Sequence, residues 1–405
     1  MDIIFYSGLI LISGFIFGEL AKLARLPKVT GYILAGVLLN PQLFSIIPND
    51  ISEHTNLITN ISLSFITFSV GGTLLYSKVK ALGKSITYIT IFEAETAFLL
   101  VFIGLFFIAP FFVNIPGVNN LTFFIPLALF FGALASPTDP SATLAVMHQY
   151  KAKGEVSSTI MGVAAFDDIF GLLNFSLAMS IAQVLVSDNS FDIQSSLLGP
   201  LYKIGGAVGL GIIMGLILNL SSVKIKKESS GNLIVLIFGV LLTTFGIADY
   251  IGVDELLSTM TVGIMVVNFN KYQERIFEIL SENTEEIIFV LFFVLSGLQL
   301  NFSVLLNYLP IALIFVALRF LGKYAGTRIG SSLAKSSTAV KKYTFGGLLP
   351  QGGIVIGLAL LIKQQEEFSD IADIIISVII GATIIHELMG PIFAKISLRK
   401  AGEIE

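Results

Sequence analysis

Two aspartates stand side by side inside an apolar stretch, STIMGVAAFDDIFGLLNFSLAMSIAQ, as Asp167 and Asp168. An acid within a membrane span costs about 2.5–3.5 kcal/mol on insertion scales, so two in succession mark a working site for protons or cations. Adjacent residues on a helix point about 100° apart, so one carboxylate can face a water-filled cavity while the other faces a partner helix. The countercharge has two candidates, Arg319 and Lys323, four residues apart and therefore on one face of another apolar stretch.

Backbone breakers surround this chemistry. The segment ALASPTDPSATLAV sets Pro137 and Pro140 around Thr138 and Asp139. Prolines this close remove backbone donors, which predicts two half-helices meeting inside the membrane. Asp139 followed by Pro140 reads as an N-cap and an N1 proline, placing a negative charge at the positive end of the second half-helix. FGGLLPQGGIVIG, with Pro350, Gly352 and Gly353, makes a second break. Glu93, Glu95, His386 and Glu387 are further intramembrane ionisable residues, open between function and structural or dimer-interface bonding. Neither Glu-Ala-Glu nor His-Glu has metalloenzyme spacing with a third ligand in view. His54 and His148 fall in or beside loops and read as surface residues.

The elements that must hold these residues follow from composition. Hydrophobic residues make up 55% of 405 positions and charged residues 13%, about half the charged share of a soluble domain. Lipid is therefore the solvent for most of the chain, and backbone groups without water must bond within their own segment, as helices. The apolar N-terminus lacks a basic start and a small-residue cleavage site, so it reads as a permanent span and not as a signal peptide. Hydropathy and loop breakers predict thirteen spans: 4–22, 28–47, 56–76, 85–113, 121–148, 157–186, 197–221, 231–251, 254–269, 283–300, 305–331, 342–363 and 369–394.

Charge supports that count. Lys22, Arg25 and Lys28 open a set of alternate connections whose basic residues continue through 78–84, 151–153, 224–227, 271–275 and 328–342 to Lys395, Arg399 and Lys400, while the other set holds only Lys363. By the positive-inside rule the N-terminus is outside and the C-terminus cytoplasmic, in a cell inner membrane. The tail after Ile396 is short, so no soluble regulatory domain is expected. There is no cysteine, which excludes disulfides and thiolate metal sites. A net charge of −4 without a dense basic block excludes nucleic acid as a partner, and no nucleotide or cofactor is expected.

The broken spans five and twelve are seven apart. That is the offset of two six-helix repeats joined by one linking helix, and an odd offset inverts the second repeat. The expected fold class is therefore an all-α polytopic membrane protein with two crossing interrupted helices and two inverted-topology repeats, an NhaA-like fold. Interrupted helices at equivalent places in inverted halves point to the ion site.

With these residues in hand, the chain resembles the monovalent cation/proton antiporter superfamily, within it the bacterial NapA-like branch with paired aspartates. The resemblance covers nearly the whole length, through LPKVTGYILAGVLLNP at 26–41, SPTDP at 136–140, FDD at 166–168, FFVLSGLQL at 292–300 and RFLGK at 319–323. It implies a homodimer in which a core bundle, about 85–186 and 305–394, moves against a dimerisation bundle, about 1–76 and 197–300. It implies that Asp168 binds the ion and the proton in turn, that Asp167 pairs with Lys323, and that Thr138 and Asp139 form the unwound crossover beside them. It also implies electrogenic exchange. FSVGGT puts Thr73 where related branches often carry a glutamate, which argues against the electroneutral and the glutathione-gated potassium branches. Arg319, one turn before Lys323, keeps the identity of the aspartate's partner open.

The expected function is a secondary active antiporter exchanging Na+, with Li+ in the same reading, for H+ by alternating access. A carboxylate in a low-dielectric cavity can carry a proton or a cation but not both, so the two ions compete at Asp168. Asp167, the Thr138 hydroxyl and unwound carbonyls would supply hard oxygen ligands for Na+. The alternatives are a K+/H+ antiporter of the same fold and a cation channel, which needs a continuous pore. An organic-anion transporter would want basic or neutral groups, and an enzyme would show a nucleophile–base pair or a metal set.

Overall fold

Backbone groups deprived of water pair within their own segment, and among the described residues every regular element is helical. The computed structural model describes residues 3–24, 26–43, 47, 55–77, 83–113, 120–139, 143, 146–147, 150–164, 166–186, 193–224 and 230–404. Pro140, and with it the loop residues Arg25, His54, Lys78, Lys80, His148, Lys226 and Lys227, lies outside them.

The helices are α1 (Ile3–Leu23), α2 (Lys28–Leu39), α3 (Thr55–Gly72), α4 (Lys84–Ile108), α5 (Asn120–Ala135), α6 (Glu155–Ala164), α7 (Asp167–Val186), α8 (Ile193–Lys224) and α9 (Ser230–Ile251). They continue as α10 (Glu255–Phe269), α11 (Gln273–Asn283), α12 (Glu285–Leu298), α13 (Phe302–Asn307), α14 (Leu309–Leu333), α15 (Thr338–Tyr343), α16 (Gly353–Gln364) and α17 (Ser369–Lys400). Seven helical stretches are long and apolar enough to cross a membrane, and four shorter apolar helices accompany them. Large apolar side chains stand open on their outer faces, Phe107 at 65% exposure and Val235 at 73%, as lipid rather than water requires.

The helix limits agree with the sequence reading at the two spans expected to break and differ from it at the span that carries the aspartates. The fifth span is interrupted after Ala135 and is helical again at Thr143, Val146, Met147 and Tyr150, and the twelfth divides into α15, a 3-10 turn at Thr344–Gly347 and α16. The sixth is not one continuous helix: α6 ends at Ala164 and α7 begins at Asp167. Both aspartates therefore lie in a first helical turn, where unpaired N–H groups and the positive dipole end favour negative charge.

The chain divides into two units. One comprises 55–81 and 187–292. Its core gathers Phe65, Phe68, Leu218, Ile237, Val262 and Ile276. In it α3 and α10 cross where a Cβ on Gly263 would collide with the Phe68 carbonyl, next to a 2.7 Å hydrogen bond between the Thr67 and Thr259 hydroxyls.

The other unit comprises 1–54, 82–186 and 293–405 and carries every candidate residue named above except Thr73. Its central feature is the contact of α4 with α14. Gly322, Gly326 and Gly330 recur every fourth residue and leave α14 bare along one stripe. A Cβ on Gly322 would come within 2.6 Å of the Ala97 Cα, one on Gly330 within 2.5 Å of the Tyr88 carbonyl, and one on Gly326 would overlap the Phe92 carbonyl. Close approach of this kind is how helices associate in lipid, where no hydrophobic force draws them together. It brings Arg319 and Lys323 up to Glu93. Gly326→Val meets backbone that cannot move aside and is expected to lower stability by about 3 kcal/mol or more. Melting of the detergent-solubilised variant at the parent temperature would contradict this.

At the far end of α17 the chain turns back on α6. Glu403 accepts hydrogen bonds from the Val156 and Ser157 amides at 2.6 and 2.8 Å, capping α6. Lys395 lies over the Tyr150 ring and donates to its hydroxyl at 2.7 Å.

Candidate functional site

The two breaks touch. After α5 the chain runs irregularly through Ser136, Pro137, Thr138 and Asp139, and the Asp139 amide donates to the Pro350 carbonyl at 3.1 Å. Gln351 donates from Nε2 to the Leu134 carbonyl at 2.7 Å, and the Thr143 hydroxyl to the Gly347 carbonyl at 2.8 Å. A side chain on Gly352 would strike the Asp139 carboxylate, so glycine is what lets the crossing close. Each break proline rests on a glycine two helices further along the chain: the Pro137 ring on Gly171 of α7 and the Pro350 ring on Gly390 of α17, with α6 and α16 lying between.

Helices that stop inside a membrane leave carbonyls unpaired at their C-terminal ends. Arg319, fully buried, satisfies both sets. Nε donates to the Ala135 carbonyl at 3.1 Å, Nη1 to Leu349 at 2.6 Å, and Nη2 to Pro137 at 2.7 Å and Pro350 at 3.3 Å. A planar fork of five donors suits this task, and its charge opposes the negative dipole ends of the two half-helices. The guanidinium is thus spent on backbone.

Lys323, one turn further, meets the carboxylates. Its ammonium donates to Glu93 in a short ion pair, to the Ser136 carbonyl at 2.6 Å and to the Thr138 hydroxyl at 2.6 Å. Asp167 Oδ2 lies 3.6 Å from it. All three charged side chains are fully buried. Glu93, which the sequence left open between function and structure, is therefore the nearer anion, and Asp167 the second. In this arrangement the Thr138 hydroxyl oxygen is occupied by the ammonium.

Asp168 differs from its neighbour. Asp167 is fully buried against Lys323, whereas Asp168 keeps partial exposure as a residue; the buried oxygens of Asp167 and the Oδ1 of Asp168 alike lack a hydrogen-bond partner. Asp139 also keeps partial exposure. The structure thus brings Asp167, Asp168, Thr138, Asp139, Lys323 and Arg319 together around the breaks formed by Pro137 and by Pro350, Gly352 and Gly353.

Three polar residues escaped the sequence reading. Asn174, seven residues after Asp167 and so on the same face of α7, donates to Glu95 Oε1 at 3.3 Å and to the Ser136 hydroxyl at 3.1 Å. Ser136 in turn donates to the Ala94 carbonyl at 3.3 Å. Gln351 ties one break to α5. Their signal was the same as that of the aspartates, polar groups in apolar runs, but weaker because neutral. Among the described residues no three of His, Cys, Asp and Glu form a metal cage.

Comparison with known proteins fits this picture. The family model described as "Sodium/hydrogen exchanger, transmembrane" matches residues 8–396. The chain is 26% identical over 210 residues to Na(+)/H(+) antiporter 1 of Methanocaldococcus jannaschii, a match covering 52% of this chain and 45% of that protein. It is 26% identical over 351 residues to Na(+)/H(+) antiporter NhaS4 of Synechocystis, covering 81% and 80%. The solved structure of the sodium proton antiporter MjNhaP1 from M. jannaschii superposes with a TM-score of 0.78 at 19% identity over 98% of both chains, a likeness of fold. From the family match across almost its whole length, and with a helical, lipid-solvated architecture to house it, this chain belongs to the transmembrane sodium/hydrogen exchanger family, a family of transporters and not of enzymes.

Proposed function

We propose that the protein exchanges Na+ for H+ across a membrane by alternating access, with the two ions competing for Asp168. One observation carries this: a partly exposed carboxylate with an oxygen that no group satisfies, beside a fully buried lysine–carboxylate cluster, where two helix breaks meet. A proton or an alkali cation satisfies that oxygen, and neither can bind without displacing the other.

The lysine sets the second step. When Na+ enters, it takes Asp168, Asp167 and the Thr138 hydroxyl as ligands, and Lys323 withdraws to Glu93, which already holds it more closely. When Na+ leaves, the ammonium returns to Thr138 and Asp167. Glu93 thus keeps Lys323 charged and buried through the cycle, and Arg319 holds the crossing rigid. With one proton on Asp168 and Lys323 charged throughout, this scheme by itself trades one Na+ for one H+; electrogenic exchange requires a second proton carrier.

The architecture behind the motion is thirteen spans in two inverted six-helix repeats with a linking helix, in an NhaA-like arrangement, N-terminus outside and C-terminus cytoplasmic in the inner membrane. The protein works as a homodimer whose core, about 85–186 and 305–394, moves against a bundle built from about 1–76 and 197–300. The alternation of basic connections supports the orientation, and the paired joints of Pro137 with Gly171 and Pro350 with Gly390 support the repeats.

The test is dye-monitored proton flux in reconstituted vesicles on adding each alkali cation, with and without an imposed membrane potential. Sodium is expected to drive saturable proton release that an inside-negative or inside-positive potential modulates. A response to K+ alone would turn the reading to a K+/H+ antiporter, and flux without saturation to a channel.

A further inference from the structure

The two joints have one more feature in common. Asp168 stands three residues before Gly171, the seat of Pro137, and Glu387 stands three residues before Gly390, the seat of Pro350. Glu387 thus holds the same place beside the second break that Asp168 holds beside the first. Its side chain is completely buried, its Oε1 has no hydrogen-bond partner, and its Oε2 accepts one long bond from the Thr30 hydroxyl of α2 at 3.4 Å.

We propose that Glu387 is a second proton-binding site of the transport cycle, loaded and emptied as Asp168 exchanges its ion. The inference rests on the exchange reading above and adds the second carrier. The nearby charged groups are Asp139, which follows α5, and Arg319 of α14. His386 precedes it on α17, edge-on to the Phe315 ring and within reach of the Arg319 and Lys323 charges. The guanidinium is committed to four carbonyls, so it does not form an ion pair with Glu387. A proton on Oε1 gives the unsatisfied oxygen a hydrogen and removes a charge held away from water. Asp139 provides the coupling. It lies near both Asp168 and Glu387, and its carboxylate abuts Gly352 at the crossing. A cation arriving at Asp168 offsets the Asp139 charge and favours release of the Glu387 proton. Each cycle then takes up two protons from one aqueous side, one on each carboxyl, and returns two to the other in exchange for one Na+.

The experiment is the equilibrium sodium gradient held by a fixed pH gradient in voltage-clamped proteoliposomes. With two protons per sodium, one pH unit sustains a sodium ratio of about a hundredfold, and with one proton about tenfold. Wild type is expected near the first value, and Glu387→Gln, still exchanging, near the second. Glu387→Asp, which keeps a titratable group, should stay near wild type. An unchanged ratio in Glu387→Gln overturns the proposal. Should Glu387→Gln not fold, protons released on adding Na+ to detergent-solubilised Glu387→Asp and Thr30→Val are counted against pH. The two-proton count should hold with its pH midpoint displaced from wild type, and an undisplaced midpoint overturns the proposal equally. Asp168→Asn separates the two readings, because retained exchange there would defeat the function proposed above whatever Glu387 does.

Discussion

Asp168→Asn will abolish sodium-driven proton movement in proteoliposomes while leaving a folded protein. Asparagine matches aspartate in volume, and Asp168 is only partly buried, so neither a cavity nor an overpacked contact is created. The change is chemical. An amide cannot take up and release a proton in this pH range, and it presents a neutral oxygen where a cation had an anionic ligand. Losing one charge-assisted contact is worth about 1.5–3 kcal/mol, some tenfold to hundredfold in cation affinity. The loss of proton coupling is absolute rather than graded. Gel filtration showing native size together with undetectable dye response is the expected pair of results. Retained exchange would move the site elsewhere, and Asp139, also partly exposed beside the crossing, would be the next residue to test.

The sequence made the site legible because lipid makes rare residues conspicuous. Asp167, Asp168, Arg319 and Lys323 stand out in apolar runs, and Pro137 and Pro350 announce broken helices. What each does was not legible, because that depends on which segments cross. Arg319 and Lys323 share one face and one charge, yet the first caps carbonyls from two distant segments and the second binds carboxylates. The difference is one helical turn of depth relative to the crossing, which spacing along α14 cannot reveal. Glu93 carried too little signal to be ranked above Glu95. Its role follows from the Gly322, Gly326 and Gly330 stripe, a four-residue repeat visible in the sequence but meaningful only once α4 is known to lie against it. The interruption before Asp167 had no proline or glycine to mark it. The Thr138 hydroxyl was expected on the ion; here it takes the lysine, so its place among the sodium ligands depends on the ammonium moving.

That dependence gives the second large effect. Lys323→Ala strips the buried Glu93 and Asp167 of their shared cation, and removing one partner of a buried charge cluster costs about 3–5 kcal/mol because the remaining charge is left uncompensated. The apparent melting temperature of the solubilised protein should fall accordingly. The rescue then tells which anion holds the lysine. Adding Glu93→Gln removes the carboxylate in closest contact, while adding Asp167→Asn removes the one at 3.6 Å. On this geometry Lys323→Ala/Glu93→Gln recovers more stability than Lys323→Ala/Asp167→Asn, since the attraction lost with the ammonium is larger where the pair was tighter. If the asparagine variant rescues and the glutamine variant does not, Asp167 is the working partner and Glu93 a bystander. The withdrawal of Lys323 to Glu93 on sodium entry would then have no anchor, and the lysine would have to give up its proton when Na+ binds.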